Sequence, residues 1–375
     1  MSSNKYALKN LDLVNVLFLS LTPVAAIVLT YFWIQSGAFN WSQVAFAFVM
    51  YFVAGISITA GYHRLYSHKA YDAHPMVKLF FLIFGAAAFQ NSILKWGSDH
   101  RRHHLKVDTE EDPYAITEGF FHSHMGWIFL KKNSEIHEQF AKDLRKDKLV
   151  MWQHKYYLYI AVLAGIVFPT IVGGLIFNSF LGGLALCFVS IVVTHQCTFF
   201  INSLCHFIGS TPYTDTNSAK DSWFMALFTF GEGYHNFHHF FQFDYRNGIR
   251  WYHFDPTKWL IQSLNRIGLA FKLKVTSENK IVEAQMIMKM KKIEARREAV
   301  ESIKNELEEL KVKVIEAMNR VQELKKEYKA NRHQFEARAR EEFKLKIQNA
   351  KNELRYYRFG WEMMLKQYRL APIMA

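Results

Sequence analysis

The chain has 375 residues, of which 50% are hydrophobic and 16% aromatic, and it carries a formal net charge of +13. The basic residues flank apolar stretches and no nucleic-acid motif accompanies them, so anionic lipid headgroups or a phosphate-bearing ligand explain the charge better than nucleic acid does. The three cysteines, Cys187, Cys197 and Cys205, form no CxxC pair, which excludes a disulfide framework and favours a reducing, cytosolic setting.

Four apolar segments are long enough to cross the hydrocarbon core of a bilayer, which takes about 20 residues. They cover approximately residues 11–33, 44–62, 157–177 and 180–201. Residues 1–10 are polar and contain no cleavage site, so we expect the first segment to be retained as a membrane helix. The loops at 78–155 and after residue 220 are rich in Lys and Arg. The positive-inside rule therefore predicts an integral, multi-pass membrane protein with both termini in the cytosol.

Three further regions follow from the pattern of apolar and charged residues. Residues 79–89 are apolar but too short to cross a bilayer, and we expect a re-entrant or interfacial helix at the cytosolic surface. Residues 207–269 are aromatic and contain Gly and Pro, which indicates a folded cytosolic cap. Between Gly268 and Gly360 there is neither Gly nor Pro, which predicts a long helix or helical hairpin.

Apolar residues in this last region follow alternating steps of three and four, which is typical of a coiled coil. They are Val300, Ile303, Leu307, Leu310, Val314, Ala317, Val321, Leu324 and Tyr328. The alternative is one amphipathic helix that lies on the membrane or on the cap. We therefore divide the chain into an N-terminal segment (1–10), a membrane and cap domain (11–269) and a C-terminal helical extension (270–375), through which the protein can self-associate.

Nine of the 17 histidines fall in four short elements. They are His63 and His68; His100, His103 and His104; His206, preceded by Asn202; and His235, His238 and His239. The two triplets have i, i+3, i+4 spacing, which places each on one face of a helix. His63 and His68 are five apart, off one face of an α-helix, so we expect the second span to end and its backbone to loosen there. The four elements can then converge just below the membrane, and nine imidazoles suit two metal ions better than one.

The ligand type narrows the choice of metal. Carboxylate-rich di-iron sites use Glu-x-x-His pairs, and the only such pair near the clusters is Glu232 with His235. Imidazole-rich sites with open positions favour iron that activates O2, with zinc or copper as the alternative. Six carboxylates are candidates to accept N–H bonds from ligand histidines: Asp99, Asp108, Glu110, Glu111, Asp112 and Glu232. We expect Asn202 to reach the metal through water and His195 to be a buried structural histidine.

The sequence around these clusters resembles the membrane histidine-box fatty-acid desaturases, specifically the Δ9 acyl-CoA (stearoyl-CoA) desaturase type. The resemblance covers about residues 11–261 and does not reach the C-terminal extension. The matching motifs are Gly-Ile-Ser-Ile-Thr-Ala-Gly-Tyr-His-Arg-Leu-Tyr-Ser-His from Gly55, Asp-His-Arg-Arg-His-His from Asp99, Phe-Ile-Asn-Ser-Leu-Cys-His from Phe200 and Gly-Glu-Gly-Tyr-His-Asn-Phe-His-His from Gly231.

This resemblance implies that the nine histidines bind two irons, with Asn202 contacting one of them through water. It also implies a four-helix stem under which a cytosolic cap carries the site. The expected reaction removes two hydrogens from a saturated acyl chain, uses O2 and two electrons, and leaves a cis double bond. Nothing in the sequence resembles a fused cytochrome b5, so we expect the electrons to come from a separate ferredoxin-like or cytochrome-type protein.

An unactivated methylene has no polar handle, so its position must be set by confinement. Tyr51 and Gly55 share one face of the second span with His63, and we expect them to close the far end of a tunnel; ordinary helix packing is the alternative. The resemblance adds channel residues Gln90, Asn91, Trp96, Thr198 and Phe199. Basic residues at the mouth would meet the headgroup, and the candidates are Lys155, Arg101 and Arg102. Ser98 stands where animal acyl-CoA members usually carry Arg, which leaves acyl-lipid or acyl-carrier substrates open.

Two other functions are compatible with the same residues. Related histidine-box enzymes hydroxylate or ketolate lipids, and they differ in whether oxygen rebound or a second hydrogen removal completes the reaction. A non-enzymatic alternative is a membrane scaffold built around the C-terminal coiled coil, although all nine histidine positions are intact.

Overall fold

The computed structural model describes residues 5–294 and 301–370, which form two compact units. The first unit runs to Thr211 and resumes over Asp215–Val275, so it contains the apolar segments and the histidine clusters. The second unit takes Pro212–Thr214 and the chain from Thr276 onward.

Four helices are long and apolar enough to cross a membrane: Leu13–Gln35, Trp41–Ser67, Tyr157–Phe177 and Phe180–Phe207. They form two hairpins with short polar links. Asp12 caps the first span and Ser179 the fourth, each accepting hydrogen bonds from backbone amides of the first turn. Asn178 adopts a left-handed conformation with φ 56°, which ends the third span and starts the link to the fourth. The predicted helical membrane fold is confirmed.

The second and fourth spans are longer than the sequence predicted. The prediction ended them at residues 62 and 201, whereas they end at Ser67 and Phe207. A hydropathy pattern stops where polar residues begin, although the backbone hydrogen bonds of the helix continue. The additional turns carry His63 and His206 beyond the apolar part of each span.

The last eleven residues of the second span, Ser57–Ser67, form a π-helix. The amide of His68 donates to the carbonyl of His63 at 3.0 Å, which is a bond across five residues. The expected loosening of the backbone is therefore a wider helix that keeps its hydrogen bonds. The wider turn brings residues five apart to one side, and the ring centroids of His63 and His68 are 4.8 Å apart.

The apolar helix that follows, Pro75–Ala86, has 12 residues and is too short to cross a bilayer. The chain then turns at Phe89 and Asn91, whose φ values are 53° and 73°, before the helix Ile93–Lys106 begins. This turn meets the fourth span, where Nε2 of His195 lies 2.8 Å from the carbonyl oxygen of Ala88. His195 is buried and bonded to the backbone, in agreement with its predicted structural role.

Short elements complete the cap. The helices are Phe120–His124, Glu138–Ala141, Lys148–Lys155, Trp223–Phe228, His235–Phe240 and Pro256–Arg266, with 3₁₀ turns at Leu8–Asn10, Ile116–Glu118, Gly126–Phe129, Lys131–Asn133 and Leu144–Lys146. Two strands, Asp72–Ala73 and Ala270–Phe271, pair antiparallel with Asp72 opposite Phe271. This pairing ties the segment after the second span to the end of the cap.

The second unit contains three helices, Glu278–Glu294, Glu301–Asn331 and Ala337–Leu370. The last two pack along each other, so the predicted helical hairpin is present. Four residues of the predicted seam are buried: Leu307, Val314, Ala317 and Val321. Val300 and the side chain of Ile303 lie outside the described part of the chain. The supercoil of a coiled coil stays a prediction.

We expect deletion of residues 277–375 to leave a folded, membrane-bound protein, because the first unit has a core of its own. That core is built from residues between Ala54 and Leu273. Size-exclusion chromatography of the detergent-extracted protein and its metal-to-protein ratio would test this. An aggregated product would contradict the expectation, whereas a folded product without metal would show that the second unit shapes the site.

Candidate metal centre and its cavity

The nine clustered histidines lie together and divide into two adjacent groups. Each histidine offers one ligand nitrogen, and within a group these nitrogens all lie within 4.8 Å of one another. The first group is His63, His68, His100, His104 and His238, and the second group is His103, His206, His235 and His239. The structure therefore brings together all nine residues that the sequence predicted as metal ligands.

Each histidine triplet contributes to both groups. His100 and His104 enter the first group, while His103 enters the second. Residues four apart lie nearly above one another on a helix, and the residue three along is offset around the axis. The helix His235–Phe240 repeats this division with the two groups exchanged. The prediction of one point of convergence is thus refined to two neighbouring points that share their helices.

The Nε2 atoms face one another across short gaps. The separations are 3.0 Å for His63–His238, 2.7 Å for His68–His100, 3.0 Å for His104–His238, 3.3 Å for His103–His239, 3.1 Å for His206–His235 and 3.1 Å for His235–His239. Two imidazole lone pairs directed along one line repel each other unless a proton or a cation lies between them. Imidazole ligands at right angles around a metal have nitrogens about 3 Å apart. The donor sets therefore fit one metal ion in each group.

Two imidazoles are fixed from behind by carboxylates. Nδ1 of His63 lies 2.9 Å from Oε2 of Glu232, and Nδ1 of His103 lies 2.9 Å from Oδ1 of Asp112. An ionised carboxylate only accepts hydrogen bonds, so each Nδ1 carries the proton. The Nε2 lone pair of each ring is then free to bind a metal in its group.

His206 reaches its carboxylate through a hydroxyl group. Its Nδ1 lies 2.7 Å from Oγ of Ser218, which lies 2.5 Å from Oδ1 of Asp108. A hydroxyl accepts from the ring and donates to the carboxylate at the same time. The sequence predicted Asp108 as a candidate but contained no signal for Ser218, which is 110 residues away.

The other three predicted carboxylates have different partners. Glu111 pairs with Lys106 at 2.9 Å on the surface, and Glu110 is exposed. Asp99 pairs with Lys95, and burial raises the pKa of Asp99 to about 6. These three candidates therefore meet a lysine or solvent, and not a ligand histidine.

Glu232 is held by Arg64, a charged residue buried at the end of the second span. Nη2 of Arg64 lies 2.9 Å from Oε1 of Glu232 and 3.1 Å from Oδ1 of Asp255, and Asn247 donates to Oε2 of Glu232 at 2.6 Å. Burial alone would raise the pKa of Glu232, but Arg64 and then His63 outweigh burial and lower the pKa to about 2. An arginine within a membrane span was a sequence signal for this network that we did not use.

Burial keeps six of the clustered histidines beyond the spans in the neutral form. Burial, followed by repulsion from neighbouring imidazoles, lowers the pKa of five of them well below the usual value: His68, His100, His104, His238 and His239. The pKa of His235 falls to about 3 for the same reasons, with burial the larger. The neutral ring is the form that binds a metal, so the site is prepared for metal at neutral pH.

A cavity of about 320 Å³ extends from the histidines of both groups. Seven of the eight predicted substrate residues line it: Tyr51, Gly55, Gln90, Asn91, Trp96, Thr198 and Phe199. Asn202 lines it as well, beside His63 and His235, and its contact with a metal through water stays a prediction. Lys155 is not among the lining residues; it is exposed at the end of its helix, with Nζ 5.2 Å from the ring centroid of Tyr156.

Gln90, Trp96 and Thr198 form a hydrogen-bonded wall beside the first histidine group. The amide of Gln90 donates to Oγ1 of Thr198 at 2.9 Å, and Nε1 of Trp96 donates to Oε1 of Gln90 at 3.4 Å. The Trp96 ring stacks on His100 with centroids 4.9 Å apart. A molecule in the cavity therefore meets a fixed wall next to the imidazoles.

Phe230 lines the cavity in contact with Tyr51 and Gly55, a contact that the sequence did not predict. The rings of Phe230 and Tyr51 are 5.3 Å apart, and the Tyr51 hydroxyl donates to the carbonyl of Phe228 at 2.9 Å. A Cβ atom at Gly55 would lie 2.1 Å from Cε2 of Phe230, so any side chain there must displace the ring. Phe230 is 175 residues beyond Gly55, and no local pattern connects the two positions.

Comparison with known proteins finds one matching family model and several similar proteins. The family model described as "Fatty acid desaturase" matches residues 39–270. The chain is 44% identical over 250 residues to acyl-CoA desaturase 1 of Saccharomyces cerevisiae. The aligned region covers 66% of this chain and 49% of that protein. It is 42% identical over 248 residues to the probable acyl-CoA desaturase of Schizosaccharomyces pombe, covering 66% and 52%. It is 35% identical over 250 residues to the Delta(9)-fatty-acid desaturase fat-6 of Caenorhabditis elegans, covering 64% and 72%. The chain spans about half the length of the first two.

We expect Glu232→Gln to weaken metal binding by roughly ten- to a hundredfold, the usual cost of losing the group behind a ligand histidine. The neutral side-chain amide of glutamine no longer fixes the proton on Nδ1 of His63. It also removes one of the negative charges that compensate the buried Arg64. Metal affinity of the purified protein, measured by titration and mass spectrometry of metals, would show the loss. Glu111→Gln removes an exposed carboxylate from the same domain and should match the parent protein. Equal affinity in both variants would contradict the role of Glu232.

Proposed function

The chain belongs to the fatty acid desaturase family, and we propose that it introduces a cis double bond, at the Δ9 position, into a saturated fatty acyl chain, with acyl-CoA as the favoured substrate. The observation that carries the proposal is the cavity that joins Tyr51 and Phe230 to the histidines of both groups. The reaction balances as one CH2–CH2 unit, one O2, two electrons and two protons giving one CH=CH unit and two waters. Two of the four electrons that O2 accepts come from the acyl chain, so a separate ferredoxin- or cytochrome-type donor supplies the other two.

We propose iron as the metal in both histidine groups. Bound iron would supply the activation of O2 that removal of hydrogen from a methylene requires. The five histidines of the first group would hold one ion and the four of the second group the other, with Asn202 acting through water. Glu232, Asp112 and the Ser218–Asp108 pair orient the rings from behind, which supports this assignment.

The cavity residues supply position rather than reactivity. A methylene pair has no group to bind, so enclosure must bring it to the imidazole-lined end. Gln90 is hydrogen-bonded to Thr198 and to Trp96, whose ring stacks on His100, and we infer that an acyl chain in the cavity would bend at this wall. A bent path matches a cis product. Tyr51 and Phe230 would stop the methyl end of the chain.

The basic residues that the sequence proposed for the acyl headgroup differ in their surroundings. Arg101 is engaged by a carboxylate and by backbone carbonyls, and Arg102 lies 2.8 Å from Nε2 of His137. Ser98 is buried and donates to the carbonyl of His137. Lys155 is exposed, and we keep it as the candidate contact for a phosphate-bearing headgroup. Acyl-lipid and acyl-carrier substrates are the alternatives.

The orientation in the membrane is part of the same proposal. The basic loops flanking the spans favour a cytosolic location for both termini and for the histidine groups. A histidine-box hydroxylase would use the same ligands, but the relatives with the high identities reported above are named desaturases. A non-catalytic scaffold would not require nine imidazoles directed at two points.

We also propose that the second unit mediates self-association. In the helix Ala337–Leu370, four large apolar side chains are exposed: Leu345, Tyr356, Phe359 and Met363. With the exposed Asn349 and Asn352 they follow alternating steps of four and three residues. An exposed seam of this spacing is typical of a helix that pairs with a second helix.

We expect Gly55→Leu to shift the preference toward shorter acyl chains, because the new side chain and the displaced Phe230 ring fill the closed end of the cavity. Comparing the products from acyl chains of different lengths would measure the shift. The double variant Gly55→Leu/Phe230→Ala frees space beside residue 55 and should recover the longer substrates. An unchanged length preference in the single variant would show that this end of the cavity does not limit the chain.

Expression in a host that cannot make unsaturated fatty acids should restore a cis monounsaturated product, which gas chromatography–mass spectrometry with derivatised double bonds would locate. His103→Ala removes one ligand of the second group and should abolish the product. Hydroxylated or keto products would assign the chain to the related chemistry. An iron-loaded protein that yields no oxidised lipid with a working electron donor would refute the proposal.

A further inference from the structure

Two aromatic side chains project from the cap. Trp251 and Tyr252 are 87% and 64% exposed, and the neighbouring Arg250 is exposed as well. Large aromatic residues left in water are typical of a surface that another molecule covers. Trp, Tyr and Arg are also the residue types that contribute most to binding between proteins.

A series of rings in contact leads from this surface to Tyr234, the residue before His235 of the second histidine group. The ring centroids of Trp251 and Tyr252 are 5.7 Å apart, and those of Tyr252 and His253 are 5.0 Å apart. His253 stacks on Tyr234 with centroids 4.6 Å apart and an interplanar angle of 13°. Tyr234 directly precedes His235 in the sequence, and both are buried. Ring contacts thus lead from solvent to Tyr234, and one peptide bond joins Tyr234 to a proposed metal ligand.

The backbone around these rings is held in place. Nζ of Lys258 donates to the carbonyl oxygens of Gly248 and Arg250, at 2.6 Å and 2.9 Å. A Cβ atom at Gly248 would lie 2.8 Å from Cβ of His253 and 3.0 Å from Cε2 of Tyr234. Glycine at this position therefore permits the stack, and the surface is organised before a partner binds.

A second series of rings leads from His103 to the cavity, and not to the exposed surface at Trp251. His103 stacks on Tyr114 at 4.3 Å, and Tyr114 lies 4.9 Å from Trp127. Tyr114 and Trp127 both line the cavity. In the described part of the chain, the rings from Trp251 to Tyr234 are not among the residues that line it. A protein bound at Trp251 would therefore not compete with the acyl chain for space.

We propose that Arg250, Trp251 and Tyr252 form the docking surface for a small, acidic, one-electron donor protein, and that the rings of Trp251, Tyr252, His253 and Tyr234 carry its electrons to His235. The inference rests on the proposed function, which needs two electrons per double bond from outside the acyl chain. Each of two successive donor molecules is oxidised by one electron, and with the two electrons from the C–H bonds they complete the reduction of O2 to two waters. The exposed Arg250 beside the two exposed rings favours an acidic partner.

The docking surface is tested with the full-length, iron-loaded protein and the reduced soluble haem domain of cytochrome b5 as the probe. Trp251→Ala should weaken binding of the probe by roughly tenfold or more, as loss of a central interface tryptophan does. Re-oxidation of the haem, followed by absorbance without O2, should slow at low probe concentration. Trp223→Ala removes a tryptophan that is 70% exposed on a helix elsewhere in the cap and should match the parent.

The ring series is tested with His253→Leu, which leaves the docking surface in place. We expect this variant to bind the probe as the parent does and to re-oxidise its haem more slowly. When dithionite, a small reductant that needs no docking, replaces the probe, the rate at which the protein's iron is reduced should equal that of the parent. Equal slowing with both reductants would mean that the variant distorts the site, and the inference would be overturned. So would parent-like probe binding by Trp251→Ala, or quenching of Trp251 fluorescence by brominated lipids, which would place a bilayer on this surface.

The outcomes separate this inference from the proposed function. A parent protein that desaturates but neither binds nor oxidises the haem probe would overturn the docking surface and leave desaturation intact. A parent protein that binds no iron and forms no unsaturated product would overturn the proposed function itself.

Discussion

The constraint on which the structure depends is the mutual approach of nine imidazole nitrogens. Their Nε2 atoms meet in pairs as close as 2.7 Å, an arrangement in which lone pairs repel one another unless cations lie between them. The elements that carry the rings must therefore be held in place independently of the site. Arg64, Glu232 and Asp255 do this for His63 through a buried network of opposite charges. A metal ion bound in either group would relieve this repulsion, so we expect metal binding to stabilise the folded cap.

The π-helical end of the second span serves both the site and the cavity. Its wide turn directs His63 and His68 into one histidine group, while Gly55 and Tyr51, about two and three turns before His63, line the cavity. The distance from these two residues to the imidazoles is thus set by the length of one continuous helix. In the proposed reaction such a helix would give a fixed length for the acyl chain, which a flexible loop between the same residues would not provide.

The sequence was sufficient for features that depend on local pattern. Apolar runs located the four spans, and the spacing of histidines identified all nine members of the two groups. The division into two groups, the hydroxyl of Ser218 and the ring of Phe230 depend on contacts between residues more than 100 positions apart. A single sequence, read without an alignment, contains no record of such contacts. The seam of the C-terminal hairpin was visible because it is local.

The two histidine groups have unequal surroundings, and this inequality organises the cap. The hydrogen-bonded wall of Gln90 and Trp96 stands against His100 in the first group. The ring series from Trp251 ends at Tyr234, which directly precedes His235 of the second group. In the proposed reaction the acyl chain and the electron donor would therefore approach along separate paths, one through the cavity and one at the exposed rings. This separation would let a donor bind and leave without opening the cavity around the acyl chain to water.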